Sequence, residues 1–226
     1  MLALTILAGC GSNDGGGRGW AVPDHPADEQ VVMGEASVDG TVVTLGDGTA
    51  IDVGHPVDTF VVAGDGVYAV PGDGDADDDA LAELVLATPD SVEGTGAHPD
   101  PDSLRTSPDG RYLGFVDYGE DPYGAPGAIV VVDLQEGTEV VHSSDDMDSS
   151  GDLEAVYADN EPGVFGVTDN RAYVKSISAV WSYSLPDGKQ TKEAVRVEDV
   201  YDADWFVGLQ DSQLTQFPHR ADDEDG

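Results

Sequence analysis

The sequence predicts an all-β fold, and three observations carry that prediction. Helical periodicity is almost absent along the 226 residues. Short β-branched or aromatic runs alternate instead with Gly, Asp, Asn and Pro punctuation. Aspartate also outnumbers glutamate in a chain with 29 glycines, a composition that favours turns over helices.

Taken in order, the first strands are Thr41 to Leu45 and Ala50 to Val53, joined by Gly46-Asp47-Gly48, a tight hairpin signal. Phe60 to Ala63 and Val67 to Val70 flank Gly64-Asp65-Gly66, which is the same device. Asp78 to Ala87 is the one stretch whose pattern allows a turn or two of helix. Strands then follow at Tyr112 to Val116, Ile129 to Leu134, Glu139 to His142, Val164 to Val167 and Ala172 to Lys175. Val180 to Leu185, Ala194 to Val197, Trp205 to Leu209 and Leu214 to Phe217 complete the series. Many short strands at regular spacing fit a sandwich, a barrel or a propeller.

Internal repetition separates these. Residues 104 to 143 read LRTSPDGRYLGFVDYGEDPYGAPGAIVVVDLQEGTEVVHS. The unit has a Ser-Pro-Asp-Gly turn at Ser107 to Gly110, an Ile-Val-Val-Val-Asp-Leu strand and a Gly-Thr-Glu hairpin. It resembles the WD-repeat-like blade of TolB-type β-propellers. A degenerate copy spans 164 to 197, with Asp169-Asn170 at the first turn and Leu185 to Lys189 at the hairpin; a weaker one spans 58 to 88. Repeats of about 40 residues with four strands are the propeller signature. The expectation is a small β-propeller of about four four-stranded blades. Its closing blade is shared between the termini, with the hairpin 205 to 217 inner and the hairpin 41 to 53 outer. The domain so defined covers 35 to 217.

The N-terminal stretch reads MLALTILAGCGSNDGGG. The apolar run Leu2 to Leu7 is far short of the roughly 20 residues that span a bilayer. Leu7-Ala8-Gly9-Cys10 resembles the lipobox of bacterial lipoproteins. That resemblance implies a signal peptide over 1 to 9, cleavage before Cys10 and lipidation of the Cys10 thiol. One departure is that no Lys or Arg precedes Arg18. The alternative for Cys10 is an ordinary buried thiol. The glycine-rich stretch after it reads as a flexible tether, extending to residue 34, and residues 218 to 226 read as an acidic disordered tail. The expected location is the extracytoplasmic face of the cell membrane. With one cysteine in the chain no internal disulfide can form.

Forty-six acidic residues against 9 basic ones give a formal net charge of -37. Such a surface repels nucleic acid and anionic headgroups, so nucleic acid is excluded as a partner. Solubility, cation attraction and salt-dependent stability follow instead.

Signatures of catalysis are missing: there is no Gly-x-Ser-x-Gly elbow, no phosphate-binding glycine loop and no His-Glu-x-x-His. Four of the five histidines adjoin a proline and are scattered along the chain, which argues against zinc. Asp73-Gly-Asp75-Ala-Asp77 opens like an EF-hand calcium loop, making these three the candidate calcium ligands. The pattern then departs, with Asp78 where glycine is needed and Leu84 where a bidentate Glu belongs, so a solvated acidic loop is the competing reading. No other cofactor is expected.

Together these readings describe a lipid-anchored, monomeric binding or scaffolding module. It would present a propeller face to an unidentified protein or small molecule. Two alternatives stay open: a propeller-type glycosidase or lyase, and a purely structural envelope protein.

Overall fold

The structure, a computed structural model, describes residues 36–72, 81–119, 127–145, 147, 163–176, 179–185, 187–196, 205–210 and 213–218. Their strands form five antiparallel sheets in chain order. Sheet I holds β1 (Ser37–Asp39), β2 (Val42–Thr44) and β3 (Ala50–Asp52). Sheet II holds β4 (Val57–Ala63), β5 (Gly66–Pro71), β6 (Val85–Ala87) and β7 (Val92–Gly94). Sheet III holds β8 (Arg105–Thr106), β9 (Tyr112–Asp117), β10 (Ala128–Asp133) and β11 (Thr138–Ser143). Sheet IV holds β12 (Gly163–Val167), β13 (Arg171–Lys175), β14 (Ala179–Ser184) and β15 (Gln190–Arg196). Sheet V is the hairpin β16 (Trp205–Gln210) and β17 (Gln213–Pro218).

Sheets II to IV are consecutive four-stranded meanders, and their first strands β4, β8 and β12 lie side by side, with β16 next to β12. Four-stranded units laid down one after another with neighbouring first strands make this an all-β, small β-propeller-like fold. The unit expected at 104 to 143 is sheet III, and the copies at 164 to 197 and 58 to 88 are sheets IV and II.

Alternation along each strand explains why the sheets stack. Val67 and Ala69 of β5 join Val43, Leu45, Ile51 and Val53 in the core between sheets I and II. Tyr68 and Val70, one residue out of phase, pack with Leu113, Phe115, Val130 and Val132 between sheets II and III. Tyr112, Val116, Ile129 and Val131 turn the other way, onto Val164, Val167, Ala172 and Val174 of sheet IV. Central strands buried on both faces read as unbroken apolar runs, which is what Ile129 to Val132 displays. Sheet I differs: Val43 and Ile51 are buried against sheet II, while Thr44, Ala50 and Asp52 on its far side are exposed.

Three expectations need correction. Residues 85 to 87 form β6 rather than helix, because Leu86 and Ala87 are buried in the cores on either side of sheet II. That burial overrides the helical spacing. The N-terminal group has three strands, not two, since Ser37–Asp39 pairs with Val42–Thr44. Among the described residues it shares no strand pairing with the C-terminal hairpin, so neither the expected shared closing blade nor closure of a ring is shown.

One side chain in the core between sheets II and III makes stability depend on alkaline pH. Tyr68 is buried, and its hydroxyl is held well above its ordinary value near 10, chiefly by burial and secondarily by the charge of Asp65. A pKa raised on folding contributes stability that is fully present below the unfolded value and lost as pH climbs past it. Thermal melts should therefore fall progressively above about pH 10. Tyr68→Phe should flatten that slope but not remove it, because burial also raises the Tyr112 hydroxyl. An unchanged alkaline slope in Tyr68→Phe would locate the effect elsewhere.

Candidate functional site

The stack has two chemically different ends. Gly64, in the β4–β5 turn, donates its N–H to the carbonyl of Gly110, in the β8–β9 turn, at 2.8 Å, so the short turns of neighbouring sheets lie at one end. At this end several polar groups have internal tasks. Ser107 Oγ donates to Asp109 Oδ1 at 2.6 Å and accepts from the Tyr112 N–H at 2.9 Å. Gly110 takes φ 71°, which closes the turn without a Cβ penalty. Arg111 reaches across to the buried carboxylate of Asp133, with Nη2 at 2.6 Å from Oδ2 and Nε at 3.1 Å from both oxygens. In sheet IV, Thr168 replaces the turn serine, and Arg171 donates to Ser182 Oγ at 2.7 Å. These polar groups help hold the hairpins shut.

The strand ends opposite these turns are joined in sequence by longer segments: 72–84 between β5 and β6, 95–104 between β7 and β8, 118–127 between β9 and β10, and 144–162 between β11 and β12. None of these four segments contains a Lys or Arg, and all four contain acids. Two of them are tied together where Glu83 Oε1 accepts the Gly96 N–H at 2.8 Å.

Within this end the first strand of sheet III is interrupted. Residues 98–100 run antiparallel to the end of β9: Pro99 bridges Asp117, Asp100 N–H donates to the Val116 carbonyl at 3.0 Å, and Tyr118 N–H donates to the His98 carbonyl at 3.1 Å. The ladder then breaks at a 3₁₀ turn, Pro101–Ser103, and resumes at β8. The break is compatible with the flanking chemistry, since Pro99 and Pro101 bring no N–H to a ladder. Asp100 caps the turn by accepting the Asp102 N–H at 2.9 Å. Ser103 Oγ accepts the Val116 N–H at 2.8 Å and donates to the Asp100 carbonyl at 2.8 Å, so a side chain fills the place a strand carbonyl would hold. The turn lies against β4, β9 and β12, between the first strands of sheets II and IV.

Around it are acceptors. Asp117, 4 % exposed, uses Oδ1 to hold the N–H groups of His98 and Gly119, each at 2.9 Å. Half-buried His98 has its Nδ1 out of contact with solvent and without a hydrogen-bond partner among the described residues. Asp102 is exposed and Asp100 half-buried. The arrangement offers carboxylates and an imidazole to a ligand rich in hydrogen-bond donors or carrying positive charge. Among the described residues no group of three or more His, Cys, Asp or Glu is placed to hold a metal ion, and no helix is long and apolar enough to cross a membrane.

The site residues expected from the sequence, Cys10 for lipidation and Asp73, Asp75 and Asp77 for calcium, lie outside the described residues. The repeat expected from the sequence starts at Leu104, after this interrupted strand. The available signal was the His98-Pro99-Asp100-Pro101-Asp102-Ser103 run: two prolines spaced by an aspartate just ahead of a strand. Comparison with family models, curated proteins and solved structures gives no match.

Proposed function

We propose that the chain is a lipid-anchored, extracytoplasmic binding or scaffolding module that engages its partner through the connector end of the stack. The observation that carries this reading is the division of labour between the ends. Short turns, several of them closed by their own side chains, occupy one; the other holds the broken first strand, and the strand ends there are joined in sequence by long segments that contain acids and no Lys or Arg. Binding residues concentrate on loops held by a rigid scaffold, and a surface of this charge attracts cationic groups. Cys10 supplies the anchor in this proposal, because its lipobox-like setting fits diacylglyceryl attachment, and more than one acyl chain gives stable membrane association.

A single fractionation experiment tests both parts. The full chain is expressed in a bacterium with a photo-crosslinking residue at either Asp102 or Asp187, which are exposed at opposite ends. The protein is expected in the membrane fraction, and Cys10→Ser is expected in the soluble fraction or as unprocessed precursor. Crosslinked species should arise from position 102 and not from position 187. Identical partitioning of wild type and Cys10→Ser removes the anchor; equal crosslinking from both positions removes the binding end.

A further inference from the structure

Basic residues are scarce in this chain and unevenly placed. The whole sequence has 9 against 46 acids, yet residues 163–196, which span sheet IV, hold five of the nine and only three of the acids. All the lysines of the chain, Lys175, Lys189 and Lys192, are there, together with Arg171 and Arg196.

Within sheet IV these residues gather on the outermost strand. Lys189 is exposed in the turn that leads into β15, Lys192 is exposed on β15 itself, and Arg196 is the last residue of that strand. From Lys189 to Arg196 is about 23 Å of extended chain. Lys192 has its ammonium group 5.2 Å from the centre of the Trp181 ring, which favours one placement of the long side chain. The acids beside this row are engaged: Glu193 lies 3.7 Å from Arg171 Nη1, and Asp187 Oδ1 accepts the Lys189 N–H at 3.3 Å. The outermost strands of the other sheets, β1, β7, β11 and β17, contain no Lys or Arg. Because β4, β8 and β12 lie side by side, β15 is at the periphery, and it runs from the short-turn end toward the connector end.

We propose that the β15 edge of sheet IV is the face that the anchored domain turns to an anionic bilayer surface. The proposal rests on the anchored reading above, which holds the domain beside a bilayer at high effective concentration. A second copy or an acidic protein would instead have to arrive against the repulsion of the whole chain. Charge then selects the face. The net charge of -37 opposes approach to anionic headgroups. Fields decay over about 8 Å at physiological salt, however, so the charges nearest the bilayer decide which orientation is tolerated. Lysine and arginine close to an anionic leaflet are attracted to it, and β15 is the outermost strand that carries them. A bilayer lying along β15 meets the side of the stack, which leaves the connector end open to a partner.

Cys10 is the single cysteine, so the full-length protein can be coupled through its thiol to maleimide lipids. Coupling supplies the attachment whether or not a bacterium lipidates the chain, which separates failure of the anchor in cells from failure of this proposal. The vesicles are phosphatidylcholine with or without phosphatidylglycerol, and mass spectrometry follows how fast an acetylating reagent modifies each lysine. Lys189 and Lys192 are expected to react at least about threefold more slowly on the anionic vesicles, with the difference lost at about 1 M salt. Lys189→Gln should reduce the protection of Lys192. In Asp90→Lys, at an exposed position of the β6–β7 turn, the introduced amine should react equally on both vesicles, which separates docking from the lower pH at any anionic surface. Equal reaction of Lys189 and Lys192 on the two vesicles, protection that survives high salt, or equal protection of the amine in Asp90→Lys overturns the proposal. So does protection that rises with protein density on neutral vesicles, because a second copy would then cover the edge. Protection by soluble polyglutamate with none from anionic vesicles also overturns it, and would assign β15 to an acidic protein segment.

Discussion

Phe115→Ala is expected to cost about 3–5 kcal/mol, the usual penalty for deleting a buried aromatic ring. Phe115 is 0 % exposed, in the core that sheets II and III share with Tyr68, Leu84, Leu113 and Val130. These neighbours belong to two sheets whose backbones are fixed by their own ladders, so the space left by the ring cannot collapse cheaply. Domains have only about 5–15 kcal/mol of stability in all. The variant should therefore unfold at much lower urea than the wild type, with its transition followed by tryptophan fluorescence or circular dichroism. Val38→Ala, at a side chain 43 % exposed on β1, is the control and should move the midpoint by no more than about 0.5 kcal/mol. A loss below about 1 kcal/mol for Phe115→Ala would mean that the interface between sheets II and III is not a packed core.

The second large effect is expected at Asp133. Its carboxylate is 1 % exposed, receives the Arg111 guanidinium through two nitrogens, and also accepts the N–H groups of Gln135 and Glu136 at 3.1 and 3.2 Å. Arg111 further lies over the Tyr112 ring, 5.0 Å from its centroid. Asp133→Ala removes the acceptor for all these donors and strands two turn amides. We expect a loss of about 2–4 kcal/mol, discounted from the fully buried case because Arg111 is partly solvated. Arg111→Ala should cost less, and the double variant should cost less than the sum of the two, since the second substitution removes a group already without its partner. Strict additivity in that cycle would show that the pair does not interact.

How far these features could be read from residues alone varies with the physics behind them. The strands of sheets III and IV were legible because alternation, β-branching and turn chemistry agree there: Ser107 to Gly110 makes the turn its composition calls for, and Gly188 (φ 64°) does so again at the β14–β15 hairpin. Short strands escaped. β1, β7 and β8 have two or three residues each, too few for any periodicity, and exist because a neighbouring strand offers a ladder. Helical spacing misleads at β6, because Leu81, Leu84 and Val85 space like one helical face while tertiary burial decides otherwise. The interrupted strand at the connector end was illegible for a related reason. Ser103 replaces a backbone acceptor, a role that depends on where Val116 lies and leaves no local pattern.

The exposed far side of sheet I bears on how the molecule comes apart. Each core joins only adjacent sheets, so the energetics resemble a one-dimensional row of coupled units, each stabilised by what lies immediately beside it. Sheets II and III have a packed core on either side, whereas sheet I has one and turns Thr44 and Asp52 outward. A unit bound on one side only is the first to be lost from such a row. Among the described residues sheet IV also has one core and the two-stranded sheet V has none, so fraying is expected from either end of the row, with β1 to β3 the unit lost at the N-terminal end and sheet III, which carries the interrupted strand, held from both sides. The residues between Cys10 and β1 lead in sequence to this N-terminal unit. If Cys10 is the anchor proposed above, tension on it would peel these three short strands before it reached sheets II and III.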